Sequence, residues 1–189
     1  DVWDSKLAQA GEALAAARAE LVERLSPLLS STYDALAREP AGATITYDAA
    51  WREEGLADAL AAARKDDLRR GVSTVGPHRD EMVLTLAGAP ARTHGSQGEQ
   101  RTLALSLRLA VHHVVTAATD TRPVLLLDDV FSELDAGRSR ALVANLPPGQ
   151  TVMTTASGYP PDAHPDVVLR LQGGAVTPVG GAPGSSPDG

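Results

Sequence analysis

Residues 124–135, Val-Leu-Leu-Leu-Asp-Asp-Val-Phe-Ser-Glu-Leu-Asp, constrain the fold more than any other run in the chain. The apolar stretch behind Pro123 reads as a short strand buried on both faces, the pattern of a parallel α/β sheet. Asp128 and Asp129 follow at its carboxyl end, where open α/β sheets collect their ligands. One carboxylate there suits Mg²⁺, which keeps several waters and needs few protein ligands. A second carboxylate can orient or deprotonate an attacking water. An isolated Asp pair after a strand more often only caps the next helix. The neighbouring sequence shifts that balance.

Ser132-Glu133-Leu134-Asp135 follows directly, and Ser96-Gln97-Gly98-Glu99-Gln100-Arg101-Thr102 opens a long helical pattern upstream. Taken together these motifs resemble the second half of an ABC-type ATPase head. Asp128-Asp129 matches its Walker B strand end, Ser132 to Asp135 its D-loop, and Ser96, Gln97, Gly98, Glu99 and Gln100 its signature motif, usually written LSGGQ. Gln before the glycine, Gln-Arg-Thr after it, and Gly76-Pro77-His78-Arg79-Asp80-Glu81 upstream are similar to the RecF family. That likeness runs from Trp3-Asp4 to about Val179, and three ordered motifs make it specific.

The resemblance implies an α/β fold, the C-terminal portion of an ABC/SMC-type P-loop head, with a helical arm segment. Residues 1–71 would form the arm, 72–179 the head portion with signature, Walker B and D-loop, and 180–189 a disordered tail. It further implies an ATP- and Mg²⁺-dependent homodimer that binds DNA at single-strand/duplex junctions. Such a protein works with RecR and RecO in recombinational gap repair and SOS induction, in the cytoplasm and away from membranes. Asp128 would hold the metal, Asp129 would take the catalytic-base position, and the signature would reach ATP bound on the partner subunit. Ser132 and Asp135 would mark the D-loop. Hydrolysis would be slow and serve as a switch.

Composition is consistent with a cytoplasmic setting and narrows the nucleic-acid reading. The 189 residues carry a net charge of −7 and no cysteine, so disulfides and thiolate metal sites are excluded. The acidic balance argues against a simple basic DNA-binding module. An aromatic content of 3% argues against the base-stacking platforms of single-strand binders. No apolar run approaches membrane-spanning length.

Along the chain, residues 2–29 have helical periodicity. Leu7, Leu14, Leu21 and Leu28 recur every seven residues with Ala10 and Ala17 between them. This is either a narrow seam for one partner helix or an ordinary amphipathic face. Ser26-Pro27 marks a kink or the cap of a new helix, and Tyr33 and Leu36 continue the apolar face. Residues 44–47 alternate like a strand, and a second helix runs from Gly55 towards Gly71. Its Arg64, Lys65, Arg69 and Arg70 fit a solvated face better than a phosphate-binding one. Strand-like sequence returns over 72–86. His78-Arg79-Asp80 is either a braced turn or a chemical site. Ser96 is the expected N-cap of a helix to about Ala118, with Leu103, Leu107, Val111 and Val114 inside. His112 and His113 have no metal-ligand spacing. A helix over 135–146, a strand over 151–155 and a hairpin over 167–179 complete the pattern.

Ala156 stands where ABC heads carry a switch histidine, which leaves the γ-phosphate sensor unassigned. No Gly-x-x-x-x-Gly-Lys-[Ser/Thr] loop occurs, and neither Lys6 nor Lys65 follows a glycine. Truncation before Asp1 is the expected explanation, and a degenerate head is the other. Two rivals remain, another ABC or SMC-like head and a non-hydrolysing scaffold. A transporter head should show a Leu-Ser-Gly-Gly-Gln signature and a switch histidine. An SMC head needs a longer coiled coil.

Overall fold

In the computed structural model, residues 2–156 and 158–179 are described. The expected tail at 180–189 lies outside them.

Helix α1 (Val2–Ala37) is the spine against which the other layers pack. Pro27 sits inside it, so the Ser26-Pro27 pair does not open a new helix. Arg38 in a left-handed conformation ends the helix just before Pro40. The buried stripe is Ala8, Gly11, Ala15, Val22, Leu25, Leu29, Tyr33 and Leu36. The seven-residue repeat is real, but it is displaced by one position from the leucine row. Leu7 and Leu14 are 43% and 45% exposed, and Leu21 is exposed beside them. The small residues Ala8, Gly11 and Ala15 permit close approach where leucine would hold the partner off. At Gly11 a Cβ would fall 2.4 Å from Leu56 Cδ2 and 3.0 Å from Pro77 Cγ. Leu56 and the loop carrying Pro77 therefore rest on bare backbone at this point.

Three apolar clusters line this spine. Ala8 and Ala15 pack with Trp51, Leu56, Ala59 and Leu60, which fastens α2 (Leu56–Arg70) to the amino-terminal half of α1. Gly71, left-handed, caps α2 as its sequence position suggested. Arg64 pairs with Asp4 and Arg69 with Asp66, so these cations act as surface partners within the chain.

Further along, Val22, Leu25, Leu29 and Tyr33 meet Ile45, Leu86, Leu103 and Val114. This cluster joins α1 to an antiparallel sheet of β1 (Thr44–Asp48), β2 (Glu81–Leu86) and β3 (Ala89–Pro90) and to helix α4 (Gln97–Thr119). A one-turn helix, α3 (Ala91–His94), links β3 to α4. Only 81–85 of the strand-like 72–86 run pairs with β1, in the register Thr44↔Thr85 to Asp48↔Glu81. On α4 the buried face is Thr102, Leu103, Ser106, Leu109, Ala110, His112 and Val114, and Val111 turns out to solvent. Thr102 and Ser106 are tolerated inside because their hydroxyls donate to the carbonyls of Gly98 (2.8 Å) and Thr102 (2.7 Å). His112 is a packing histidine, as expected: its Nε2 donates to the Pro123 carbonyl at 2.9 Å.

The third cluster, Leu36, Leu109, Leu125, Leu127, Phe131 and Leu142, positions the acidic strand. β4 (Leu125–Leu127) pairs in parallel with β5 (Thr151–Met153), and α5 (Ala136–Ala144) crosses between them. The parallel pairing matches the sequence reading, but burial on both faces does not. Leu125 and Leu127 are buried, whereas Leu126 is 69% exposed. Helices α1, α4 and α5 cover one face only, and among the described residues nothing covers the other. The hairpin of β6 (Leu169–Gln172) and β7 (Ala175–Pro178) forms as expected and is the last of the described elements.

Asp80 ties the antiparallel sheet to α1. Its side chain is 2% exposed and faces the Arg18 guanidinium at 3.8 Å. It accepts a hydrogen bond from Trp51 Nε1 at 2.7 Å and another from the Tyr47 hydroxyl. Burial, together with that bond to Asp80, raises the Tyr47 phenol above its ordinary pKa. Arg18 also donates to the Pro77 carbonyl at 2.6 Å. Arg79 and His78 both donate to the Ser73 carbonyl, so the Gly76-to-Glu81 motif is a braced turn. Removing the carboxylate would leave the buried Trp51 N–H and the half-buried Tyr47 hydroxyl without their acceptor, each worth about 1–3 kcal/mol. We therefore expect Asp80→Ala to lower unfolding stability by about 3 kcal/mol, measured by urea titration. A loss below about 1 kcal/mol would contradict the bracing role.

Candidate nucleotide site

Two local structures carry the residues singled out by the sequence. The first is the carboxyl end of β4. Leu127 is the last paired residue, and the Thr154 N–H still reaches its carbonyl at 3.0 Å. Beyond it the backbone turns sharply, with Asp129 in the left-handed region at φ 45°, ψ 33°. Aspartate is among the few residues that adopt this conformation readily. The Asp129 N–H bonds to Thr154 Oγ1 and to the Thr154 carbonyl, both at 3.1 Å. The Thr154 hydroxyl in turn donates to Asp128 Oδ1. The Ala156 N–H lies 3.4 Å from Asp129 Oδ1, so the residue at the expected switch position faces the second carboxylate with its backbone. Ser132 Oγ donates to the Asp129 carbonyl at 2.8 Å, closing a 3₁₀ turn over Val130–Glu133.

The second is the start of α4. Ser96 is its N-cap, in a complete capping box. Ser96 Oγ accepts from the Glu99 N–H at 3.3 Å and donates to Glu99 Oε2 at 2.6 Å. The Ser96 N–H reaches the same carboxylate oxygen at 2.7 Å. These bonds, from the Ser96 hydroxyl first and its N–H second, hold the Glu99 carboxyl below its ordinary pKa. Gln100 Nε2 donates to the Gly95 carbonyl at 2.9 Å and fastens the loop to the helix.

Two arginines connect the structures: Arg101, which the motif contains without a role of its own, and Arg138, which no motif marks. Arg101, one turn into α4, pairs with Glu133 at 3.3 Å. Arg138 on α5 lies over Gly98, where a Cβ would come within 2.9 Å of its Nη1. The glycine thus admits a guanidinium against the first turn of α4. Asp135 is the N-cap of α5, accepting from the Arg138 N–H at 2.9 Å. That bond and the nearby guanidinium keep its carboxyl below the ordinary range. Among the described residues no hydrogen bond or ion pair joins the Ser96 loop directly to Asp128 or Asp129.

The donor set fits Mg²⁺ held mainly by phosphate and water. No cluster of three or more His, Cys, Asp or Glu among the described residues could cage a metal. Asp128 instead offers an exposed carboxylate at a strand end, which is sufficient for an ion that keeps its waters. A separate cleft of about 460 Å³ opens beside Asp80, with Asp48, Glu54 and Glu81 set against Arg79. Its carboxylates disfavour a phosphate ligand, and its lining reaches neither β4 nor the start of α4.

No protein-family model matches the chain. Among curated proteins, the DNA replication and repair protein RecF of Streptomyces avermitilis is 43% identical over 170 residues, covering 83% of this chain and 44% of the relative. The RecF of Frankia alni is 42% identical over 188 residues, covering 92% and 48%. The chain belongs to the RecF family. It spans about half the length of the curated relatives it matches. Among solved structures, the recombination mediator RecF with ATPrS superposes with a TM-score of 0.78 at 28% identity, over 95% of this chain and 50% of that one. RecF with ATP gives 0.77 at the same identity and coverage. An SMC head bound to the C-terminal winged-helix domain of ScpA gives 0.50 at 16% identity, over 84% of this chain and 42% of that one. The fold is that of an ABC/SMC-type ATPase head, as the motifs implied.

Proposed function

We propose that this chain supplies the signature and acidic-strand portion of a RecF-type ATPase acting in DNA replication and repair. The observation that carries this reading is the left-handed turn at Asp129. It sets two adjacent carboxylates at the end of a parallel strand, tied back to β5. Asp128 is the residue to hold Mg²⁺, which when bound would neutralise charge on the terminal phosphates. Asp129 is placed to orient or deprotonate a water. Ser96, Gln97, Gly98, Glu99 and Gln100 form the helix start offered to the γ-phosphate of ATP on a second subunit, with Arg138 lending positive charge. Ser132 and Asp135 border the same dimer interface.

On this reading residues 1–71 serve as the arm and 72–179 as the head portion. ATP drives dimerisation, and the dimer binds single-strand/duplex junctions and works with RecR and RecO in gap repair and SOS induction. The likeness to RecF at TM-score 0.78 against 0.50 for the SMC head favours this over an SMC-type role. The test uses the complete gene product. Sedimentation with and without a non-hydrolysable ATP analogue should show a nucleotide-dependent dimer, with tighter binding to a gapped duplex in its presence. Sedimentation and DNA binding that ignore nucleotide would overturn the proposal.

A further inference from the structure

We propose that Thr154 is a positioning residue for the acidic pair, acting on both aspartates through one hydroxyl. The inference rests on the ATPase reading above. Thr154 is exposed and stands just past β5, so no packing requirement explains a β-branched hydroxyl there. Its Oγ1 spends its proton on Asp128 Oδ1 and its lone pair on the Asp129 N–H at 3.1 Å. A hydroxyl is the smallest group that can donate and accept at once. The first bond holds Asp128 in one orientation, leaving its other oxygen for the hydrated ion. The second helps hold the left-handed backbone that aims Asp129. Among the described residues no other side chain hydrogen-bonds to both. Groups that orient a metal-binding carboxylate from behind typically change metal affinity about 10–100-fold when removed.

Thr154→Val keeps the branched shape and deletes both bonds, while Thr154→Ser keeps the hydroxyl. In the complete gene product the readout is the Mg²⁺ concentration that half-saturates dimerisation on a non-hydrolysable ATP analogue, followed by sedimentation. Valine should raise it about 10-fold or more, and serine should stay within about 2-fold of wild type. In an Asp128→Asn background, valine should raise the Mg²⁺ requirement much less than it does in the wild type, because the carboxylate it orients for the ion is gone and only the bond to the Asp129 N–H is left to lose. A wild-type response to Mg²⁺ in the valine variant would overturn the inference and leave the ATPase reading standing. A valine variant that fails to fold would overturn it too, since an exposed orienting hydroxyl is not needed for folding. A wild-type protein that ignores Mg²⁺ and nucleotide would remove both readings together.

Discussion

On the proposed ATPase reading, Asp129→Asn in the complete gene product should abolish ATP turnover while leaving ATP-driven dimerisation in place. The amide keeps an oxygen to accept the Ala156 N–H but cannot take a proton from water. Asparagine tolerates the left-handed region about as well as aspartate, so the turn at φ 45° should survive. Alanine at the same position would add a backbone penalty of about 1 kcal/mol and confuse chemistry with folding. Glutamate at this position would meet the same backbone penalty. Loss of a general base is worth about 10²–10⁴ in rate. Steady-state hydrolysis and sedimentation on ATP measure the two effects separately. Turnover within a few-fold of wild type would show that Asp129 is not the base.

The motifs were readable because each rests on local chemistry. Pro123 and the leucines that follow specify a strand, Ser96 with Glu99 three residues on specifies a capped helix, and Gly71 specifies a helix end. The RecF likeness came from the order of such motifs, and the relatives and fold agree with it. What failed was the choice of face. Leu7, Leu14 and Leu21 are the most hydrophobic row of α1, yet the buried row is Ala8, Gly11, Ala15 and Val22. Hydrophobicity ranks residues by transfer energy, but contact with α2 is limited by how closely backbones can approach, and there small residues are favoured. The same limit applies to β4. Alternating burial depends on how many layers cover the sheet, and Leu126 carries no local sign of an uncovered face.

The connections between motifs were the least visible. Arg101 to Glu133, Arg138 to Gly98 and Thr154 to Asp128 join residues 26 to 40 positions apart. Their signal in the sequence was only a cation after a glycine-containing cap and a hydroxyl after a strand parallel to the acidic one. Asp80 was closer to legible. An acid three residues after Gly-Pro fits either brace or chemistry, and Tyr47, Trp51 and Arg18 decide for the brace.

Ser96→Glu should leave ATP affinity of the monomer unchanged and eliminate ATP-dependent dimerisation. At rest Ser96 is a cap, its hydroxyl shared with Glu99. Losing that cap costs about 1 kcal/mol, which Ser96→Ala measures alone. On the proposed reading the hydroxyl exchanges Glu99 for the γ-phosphate of a second subunit, and Gly98 with the N–H groups behind it completes the cradle. A glutamate at this position places a second carboxylate beside Glu99, at the point where phosphate must arrive. In a desolvated interface that like charge costs several kcal/mol, enough to weaken dimerisation about 100-fold or more. Ser96→Arg is a weaker probe because its charge attracts phosphate even where its bulk obstructs. Calorimetry gives the nucleotide affinity, and sedimentation with a non-hydrolysable analogue gives the dimer. If Ser96→Ala and Ser96→Glu lose only the stability of the cap and both dimerise like wild type, Ser96 ends α4 and does nothing across the interface. If only the glutamate fails, the start of α4 is where the second subunit's nucleotide docks.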